Sequence, residues 1–535
     1  MNNNKFKQIA TLMLGGTLML GSIGCTESFE DFNTNPKAPT PEQMEGDFAS
    51  TATLISTMIP VMVQGQENNY QMIDQMIGCE YGRMTCARNH WGSDAYFATF
   101  NPSQGWAGTP FNTCMPQIYT PFFQIRDISG GEGLTYHWAN LIRIFGTLRV
   151  SDCYGPIPFS KIGAGSDYQV AYDDMPDLFN AMFDELDAAI TGLKEGGDAA
   201  VFANVDYIYG GDMTKWVKFA NTLKLRLAMR LVNVNPTLAQ QKAEEAVNDA
   251  GGLISAPADA AWSTFIPGGN ALLKINISWN EGAVSADILS YMNGYADPRI
   301  EKYATANADG NYLGMRSGLW HRGVGNGFDL FSKPVVNDND PLLCISASES
   351  WFARAEGALR GWNMGGTAQE LYEKGIEVSM AERGATLGSY LTSEAVPADY
   401  EDPNESSNNI AAVSTVTPKW IEGDDFEAHL EQIMVQKWIG NFPNGWETWA
   451  DVRRTGYPKF FPAVENRSAA GVSSQRGMRR LPFPDSEFNT NEANVKAAQN
   501  MLGGPDTGAT DLWWGEARSA AKYPTTCRRV PDNKD

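Results

Sequence analysis

"SASESWFARAEGALRGWNMGGTAQELYEKGIEVSM", residues 346–380, decides the fold class. Trp351, Ala355, Leu359 and Trp362 recur at the three-to-four-residue spacing that aligns side chains on one helix face. "GWNMGG" (361–366) breaks the pattern, and Leu371, Tyr372, Gly375, Ile376 and Ser379 then begin a second face. Each start carries a capping-box signature, Ser346 with Glu349 and Thr367 with Glu370, in which hydroxyl and carboxylate satisfy first-turn amides. Small residues (Ala355, Ala358, Gly375) let the two helices approach closely. The segment predicts a helical hairpin.

The same pairing recurs upstream. In 214–231, Trp216, Ala220, Leu223, Leu227 and Leu231 form one stripe; "NVNP" stops it, and Thr237 with Gln240 caps a second helix ending at Gly251-Gly252. Residues 135–150 (Trp138, Leu141, Ile142, Phe145) join 176–193 (Leu178, Met182, Phe183, Leu186, Ile190), and 43–63 join 69–80. About four pairs with a period of roughly 34–40 residues predict a mostly α, tetratricopeptide-like scaffold, in which each pair buries its face on the next. Between them, 81–134, 253–345 and 384–427 are rich in Gly, Asn, Pro and aromatics. Loops this long are usually functional or disordered, and their aromatic content argues against disorder. They are expected to form an ordered irregular layer over the helices.

At the N-terminus, Lys5 and Lys7 precede an apolar run, Ile9 to Leu20, too short to span a membrane, which takes roughly 20 residues. Leu20 to Cys25 resembles the lipobox of bacterial lipoproteins, so residues 1–24 are expected to be a signal peptide and Cys25 the lipidated first residue of a single domain, 25–535. Losing Lys5 and Lys7 with the leader moves the net charge from −22 to −24, a surface that repels nucleic acid and anionic head groups. Six further cysteines (79, 86, 114, 153, 344, 527) show no zinc spacing. Cys79 and Cys86 could bridge locally; otherwise the thiols are buried and free.

Nothing local carries catalysis. His90, His137, His321 and His429 lack a metal-binding spacing, and no nucleophile elbow, phosphate loop or dinucleotide fingerprint occurs. "NDNDP" (337–341) lacks the glycine and distal glutamate of a calcium loop. No cofactor is expected. Glu447, Asp451, Arg453 and Arg454 in "NGWETWADVRRTGYP" read as a structural ion-pair cluster rather than a site. Trp138, Trp216, Trp351 and Trp438 fall on helical apolar faces, whereas Trp91, Trp106, Trp262, Trp279 and Trp320 sit among Gly, Ser, Asn and Pro, where helix packing does not explain them.

"GCTESFEDFNTNPKAPT", "RVSDCYGPIPFSKI", "WVKFANTLKLRLAMRL", "YADPRI", "ESWFARAEGALRGW", "WIGNFPNGWETWADVRRTGYP", "RRLPFP", "GGPDT" and "LWW" together resemble, in order, segments of the SusD/RagB-type nutrient-binding lipoproteins of Bacteroidota. That resemblance implies a SusD-like fold: an outer-membrane, surface-exposed lipoprotein covering a SusC-like, TonB-dependent β-barrel transporter. It implies binding of oligosaccharide, or of peptide in some branches, with no chemistry; a surface hydrolase is the competing class. Aromatic arcs on irregular segments bind ligand in this family. Here Arg83, Asn89, His90 and Trp91 fall in one such segment, Trp106 follows, and Trp320 and His321 lie in another. The expectation is that the two segments meet, with Trp91 and Trp320 stacking on cargo and Arg83 and Asn89 donating hydrogen bonds.

Overall fold

The computed structural model describes residues 49–88, 96–164, 169–196, 203–319, 328–469 and 471–515. Its principal helices are α1 (Ala49–Met58), α2 (Thr109–Ser129), α3 (Gly133–Tyr154), α4 (Met175–Glu195), α5 (Met213–Arg230), α6 (Pro236–Asn248), α7 (Ala286–Gly294), α8 (Glu349–Leu359), α9 (Ala368–Glu382), α10 (Phe426–Gly440) and α11 (Trp446–Thr455). A π-helical segment spans Tyr70–Cys79. The chain separates into two compact units, Met1–Ala52 and Thr53–Asp535; the helical scaffold and the irregular layer both lie in the second.

The predicted hairpin is α8–α9, and the earlier pairs are α5–α6 and α3–α4. Helices stack in sequence: α2 on α3, α3 on α4, α4 on α5, α5 on α6 and α8, and α8 on α9 and α10. This is tetratricopeptide-like layering. Close approach within α8–α9 falls where the small residues predicted it: a Cβ on Gly375 would stand 2.6 Å from Cε1 of Phe352.

The helix starts agree only in part. At α9 the Thr367–Glu370 capping box forms, Glu370 N donating to Thr367 Oγ1 (3.2 Å) and Thr367 N to Glu370 Oε2 (2.9 Å). At α8 the Ser346–Glu349 box does not form. Tertiary partners take both members: the Ser346 hydroxyl donates to Asn441 (2.6 Å), and Arg226 engages Glu349 (2.8 and 2.9 Å). Asn235 rather than Thr237 caps α6, with Pro236 supplying the fixed φ that suits a first helical position.

Two helices occupy stretches expected to be irregular. Within 81–134, α2 runs 21 residues through Pro116 and Pro121. A proline inside a helix removes an amide donor and crowds the preceding carbonyl. The burial of Phe111, Ile118, Tyr119, Phe122 and Ile125 offsets that cost. Within 253–345, α7 is short and begins at the Ser285 cap. The remainder is irregular and carries two small antiparallel sheets. Strand β1 (Thr85–Ala87) pairs with β3 (Gly282–Val284) in the register Cys86↔Ala283, and β2 (Ala261–Ser263) pairs with β4 (Leu342–Ile345).

A buried charge chain joins α3, α5, α8, α10 and α11. Arg230 donates to Glu447 (2.9 and 2.7 Å) and Asp152 (3.0 Å), and Arg226 bridges Glu349 to Glu447. Lys437 contacts Glu447 (2.9 Å) and Asp451 (2.8 Å); Arg454 reaches Asp451 (2.7 Å) and both oxygens of Glu356, which also holds Arg360. Five cations thus face five carboxylates. The arginines and carboxylates of residues 445–456 serve the fold, as their spacing suggested. Cys79, Cys86, Cys114, Cys153 and Cys344 are buried free thiols, so Cys79 and Cys86 form no bridge.

Candidate ligand-binding site

The π-helical segment leads into Glu80, and the chain then turns at Gly82-Arg83 into β1. The Glu80 carboxylate accepts from Ala87 N (2.8 Å) and from the hydroxyl of Ser317 (2.5 Å). One buried group therefore holds the stems of both irregular segments singled out in the sequence. Burial pushes its pKa up, against the opposing charge of Arg83. Around it, Cys86, Ala283, Met315, Leu319, Phe328 and Phe331 form one apolar cluster, and Ala87, Tyr96 and Ala98 form another. The Tyr96 hydroxyl donates to Ala87 O, closing the first stem. Ala87 and Tyr96, and Ser317, Leu319 and Phe328, thus lie around a common base.

Of the predicted ligand residues, Asn89, His90, Trp91, Trp320 and His321 lie outside the described residues, as does Cys25. Trp106 is half-buried in the one-turn helix Gln104–Ala107 that precedes α2. Arg83 departs from expectation. It is buried, adopts a left-handed backbone (φ 52°), and turns inward to Glu80 (3.4 Å) and towards Asp287 (4.0 Å). A charge that anchors the turn beneath the site is not presented to a ligand.

Above the common base stands a rim of residues that the sequence reading did not assign to the site. Trp279 is 37% exposed, with the Lys274 ammonium 5.9 Å from its ring centre. Its neighbour Asn280 is left-handed (φ 56°), a conformation that asparagine adopts more readily than most side chains. Asn280 fastens two cations: Arg88 Nη1 donates to its carbonyl (3.3 Å), and Lys333 Nζ to its Oδ1 (2.7 Å) and to Gly282 O (2.8 Å). Both cations also pack on Phe328, with Arg88 at 3.9 Å and Lys333 at 3.7 Å from the ring centre. Burial, reinforced by the Arg88 charge and opposed by Asp329, lowers the Lys333 pKa to about 7. Trp279 was visible as a loop tryptophan, but only its exposure separates it from Trp262, which is packed under Arg383 (4.9 Å).

This arrangement offers an aromatic face and fixed hydrogen-bond donors. The carboxylates whose pKa burial raises nearby, Glu80 and Asp287, are 0% and 2% exposed, sealed from any substrate. A cavity of about 740 Å³ lies elsewhere, between the end of α4 and the start of α5, lined by Leu193, Met213 and Val217. Among the described residues its lining holds no aromatic ring, so the Trp279 rim is the better candidate for a sugar.

The sequence matches, over residues 31–515, the family profile "SusD-like: Susd and RagB outer membrane lipoprotein". Among solved structures, a SusD-like protein from Bacteroides thetaiotaomicron is 38% identical, with 87% of this chain and 98% of that one covered and a TM-score of 0.83. A SusD homologue from Bacteroides uniformis is 37% identical (87% and 99% covered; TM-score 0.82). A chitin-binding SusD homologue from Flavobacterium johnsoniae is 36% identical (88% and 98%; TM-score 0.81). No curated protein matches the chain. With that coverage, and with helix pairs carrying an irregular aromatic layer, the chain belongs to the SusD/RagB family of outer-membrane lipoproteins.

Proposed function

We propose that this lipoprotein captures an oligosaccharide at the cell surface and delivers it to a SusC-like, TonB-dependent transporter without chemical change. The observation that carries the reading is the exposed Trp279, next in the chain to Asn280, whose oxygens hold the Arg88 and Lys333 donors in place. A sugar presents an apolar C–H face for such a ring and a hydroxyl rim for the donors. The chitin-binding Flavobacterium relative supports a glycan over a peptide. Trp91 and Trp320, which follow Arg88 and Leu319 in the chain, would add stacking faces, with Asn89, His90, Trp106 and His321 as further contacts.

Titrating the purified protein with a panel of oligosaccharides and oligopeptides tests this. Stacking on an aromatic is worth about 1–3 kcal/mol in nucleic-acid sites, and a less polarizable sugar belongs at the lower end. Trp279→Ala should therefore weaken glycan binding about tenfold, since 1.4 kcal/mol is one decade, with melting nearly unchanged. Selective binding of peptides would replace the cargo class. Release of shortened products would replace the whole reading with a hydrolase.

Lipid on Cys25 is the proposed membrane attachment. Cys25→Ser should abolish incorporation of a fatty-acid analogue and retention in outer-membrane fractions. In the unaltered protein those fractions should yield a large β-barrel partner on gentle solubilisation. Label that persists in the variant would sink the anchor, and crosslinking that returns only free lipoprotein would sink the partner.

A further inference from the structure

The rim at Asn280 differs in electrostatics from every other buried cation cluster described above. In the scaffold, Arg226, Arg230, Lys437 and Arg454 each face carboxylates at ion-pair distance. At the rim, the described hydrogen-bond partners of Arg88 and Lys333 are neutral oxygens: the Asn280 carbonyl, Asn280 Oδ1 and the Gly282 carbonyl. The charged groups that face Lys333 are Arg88, from the end of β1, and Asp329, from the turn after Phe328; Asp329 acts on both cations at longer range. Glu281, next along the chain, accepts instead from Gln71 Nε2 (2.5 Å). Two cations thus share one aromatic ring and one asparagine, in a chain whose net charge is −22. The Phe328 ring lowers the cost of holding them together, but two like charges in a half-buried site still favour an anion between them.

We propose that the cargo carries an anionic oxygen group, a uronate carboxylate or a sulfate ester, which binds Arg88 and Lys333 while its sugar ring stacks on Trp279. This rests on the reading of the rim as the cargo site and specifies the chemical class of that cargo. A guanidinium with most of its N–H groups uncommitted can grip a carboxylate or sulfate in bidentate fashion, and the lysine adds a point charge. Asn280 fixes both donors before the ligand arrives, so little ordering cost remains for binding.

The test compares matched probes by calorimetry: oligogalacturonate against its methyl ester, and a sulfated galactan oligosaccharide against its desulfated form. The acidic member of at least one pair should bind ten-fold or more tighter. That preference should fall with added salt and grow as pH drops from 8 to 6, where Lys333 gains its proton. Arg88→Met and Lys333→Met should erase the preference. Arg88→Lys, which keeps the charge, should retain the salt dependence and serves if the methionine variant melts early. Trp279→Ala should weaken acidic and neutral members alike. Equal affinity for both members of every pair overturns the anionic cargo and leaves glycan capture standing; binding of peptides alone overturns capture itself. If no oligosaccharide of the panel binds, methyl glucuronide and sodium sulfate are titrated while the Lys333 ammonium is followed by NMR. A Lys333 pKa that rises with either anion supports the proposal, and one that moves with neither overturns it.

Discussion

Replacing Glu447 with leucine should destabilise the protein by about 3–5 kcal/mol, the usual cost of removing one partner from a buried ion pair. Glu447 accepts from Arg230 and Lys437 and contacts Arg226, so its loss leaves each of three buried cations with a single carboxylate: Arg230 with Asp152, Lys437 with Asp451 and Arg226 with Glu349. With an unfolding entropy of about 2.1 cal/mol/K per residue, that loss lowers the melting temperature by roughly 3–5 °C in a domain of this size. Calorimetry of the variant beside the unaltered chain measures it. A melting temperature within a degree of the original would show that the network does not hold the helices together. The same network sets an acid limit. Burial alone would raise these carboxylates, but the facing cations win: Arg454 and Arg360 bring Glu356 down to about 2, and Arg230, Lys437 and Arg226 hold Glu447 well below the ordinary range. A folded pKa below the unfolded value near 4.5 gives stability that is full above pH 4.5 and lost as pH falls towards 2. Unfolding monitored across that window should steepen there, and less so in the leucine variant.

Arg149→Met should cost a similar amount, about 3–5 kcal/mol, but with a local signature. From α3, Arg149 donates to the carbonyls of Val61 (2.6 Å) and Met62 (2.7 Å) and to Asp74 of the π-helical segment (2.5 Å). Asp74 also accepts from Gln64 N and from the Trp446 indole (2.9 Å). Without the guanidinium, Asp74 is a buried charge with only neutral donors. The segment it anchors leads directly into Glu80 and β1, on which the rim is built. Hydrogen exchange should therefore accelerate first in residues 59–88, and glycan affinity should fall before global unfolding begins. Uniform loss of protection across all helices would contradict this linkage.

Amphipathic helices paired through short breaks were legible because their periodicity reports one buried face. Trp216, Leu223 and Leu227 read as a stripe and are fully buried. Two helices were harder to read in full. Helix α2 hides behind Pro116 and Pro121, whose local penalty is offset by contacts with α3 that no local pattern records. Helix α10 is buried all round, from His429 to Gly440, so it has no polar face to mark its period. Its polar residues Glu431, Gln432, Gln436 and Lys437 look like a solvated side, yet each is partnered inside the protein. The site was half legible. Glycine-, asparagine- and tryptophan-rich composition pointed to the layer that holds the candidate rim, and Ala87 and Ser317, near the two chosen segments, both meet Glu80. Which tryptophan faces outward, and that Arg83 turns inward while Arg88 joins the rim, depends on β1 pairing with β3 some 200 residues away. Spacing along the chain carries no such information.

The five described thiols add a practical consequence. Burial pushes Cys79, Cys114 and Cys344 up to about 12 and raises Cys86 and Cys153 as well. A thiol with a pKa near 12 keeps on the order of one molecule in 10⁴ as thiolate at pH 8, and the thiolate is the reactive species. These cysteines are therefore chemically silent in the intact molecule, although an extracellular setting would oxidise accessible ones. They sit one each in the π-helical segment, β1, α2, α3 and β4. An alkylating agent can tag each only when its own segment opens, so the order of labelling would give the sequence in which the molecule comes apart.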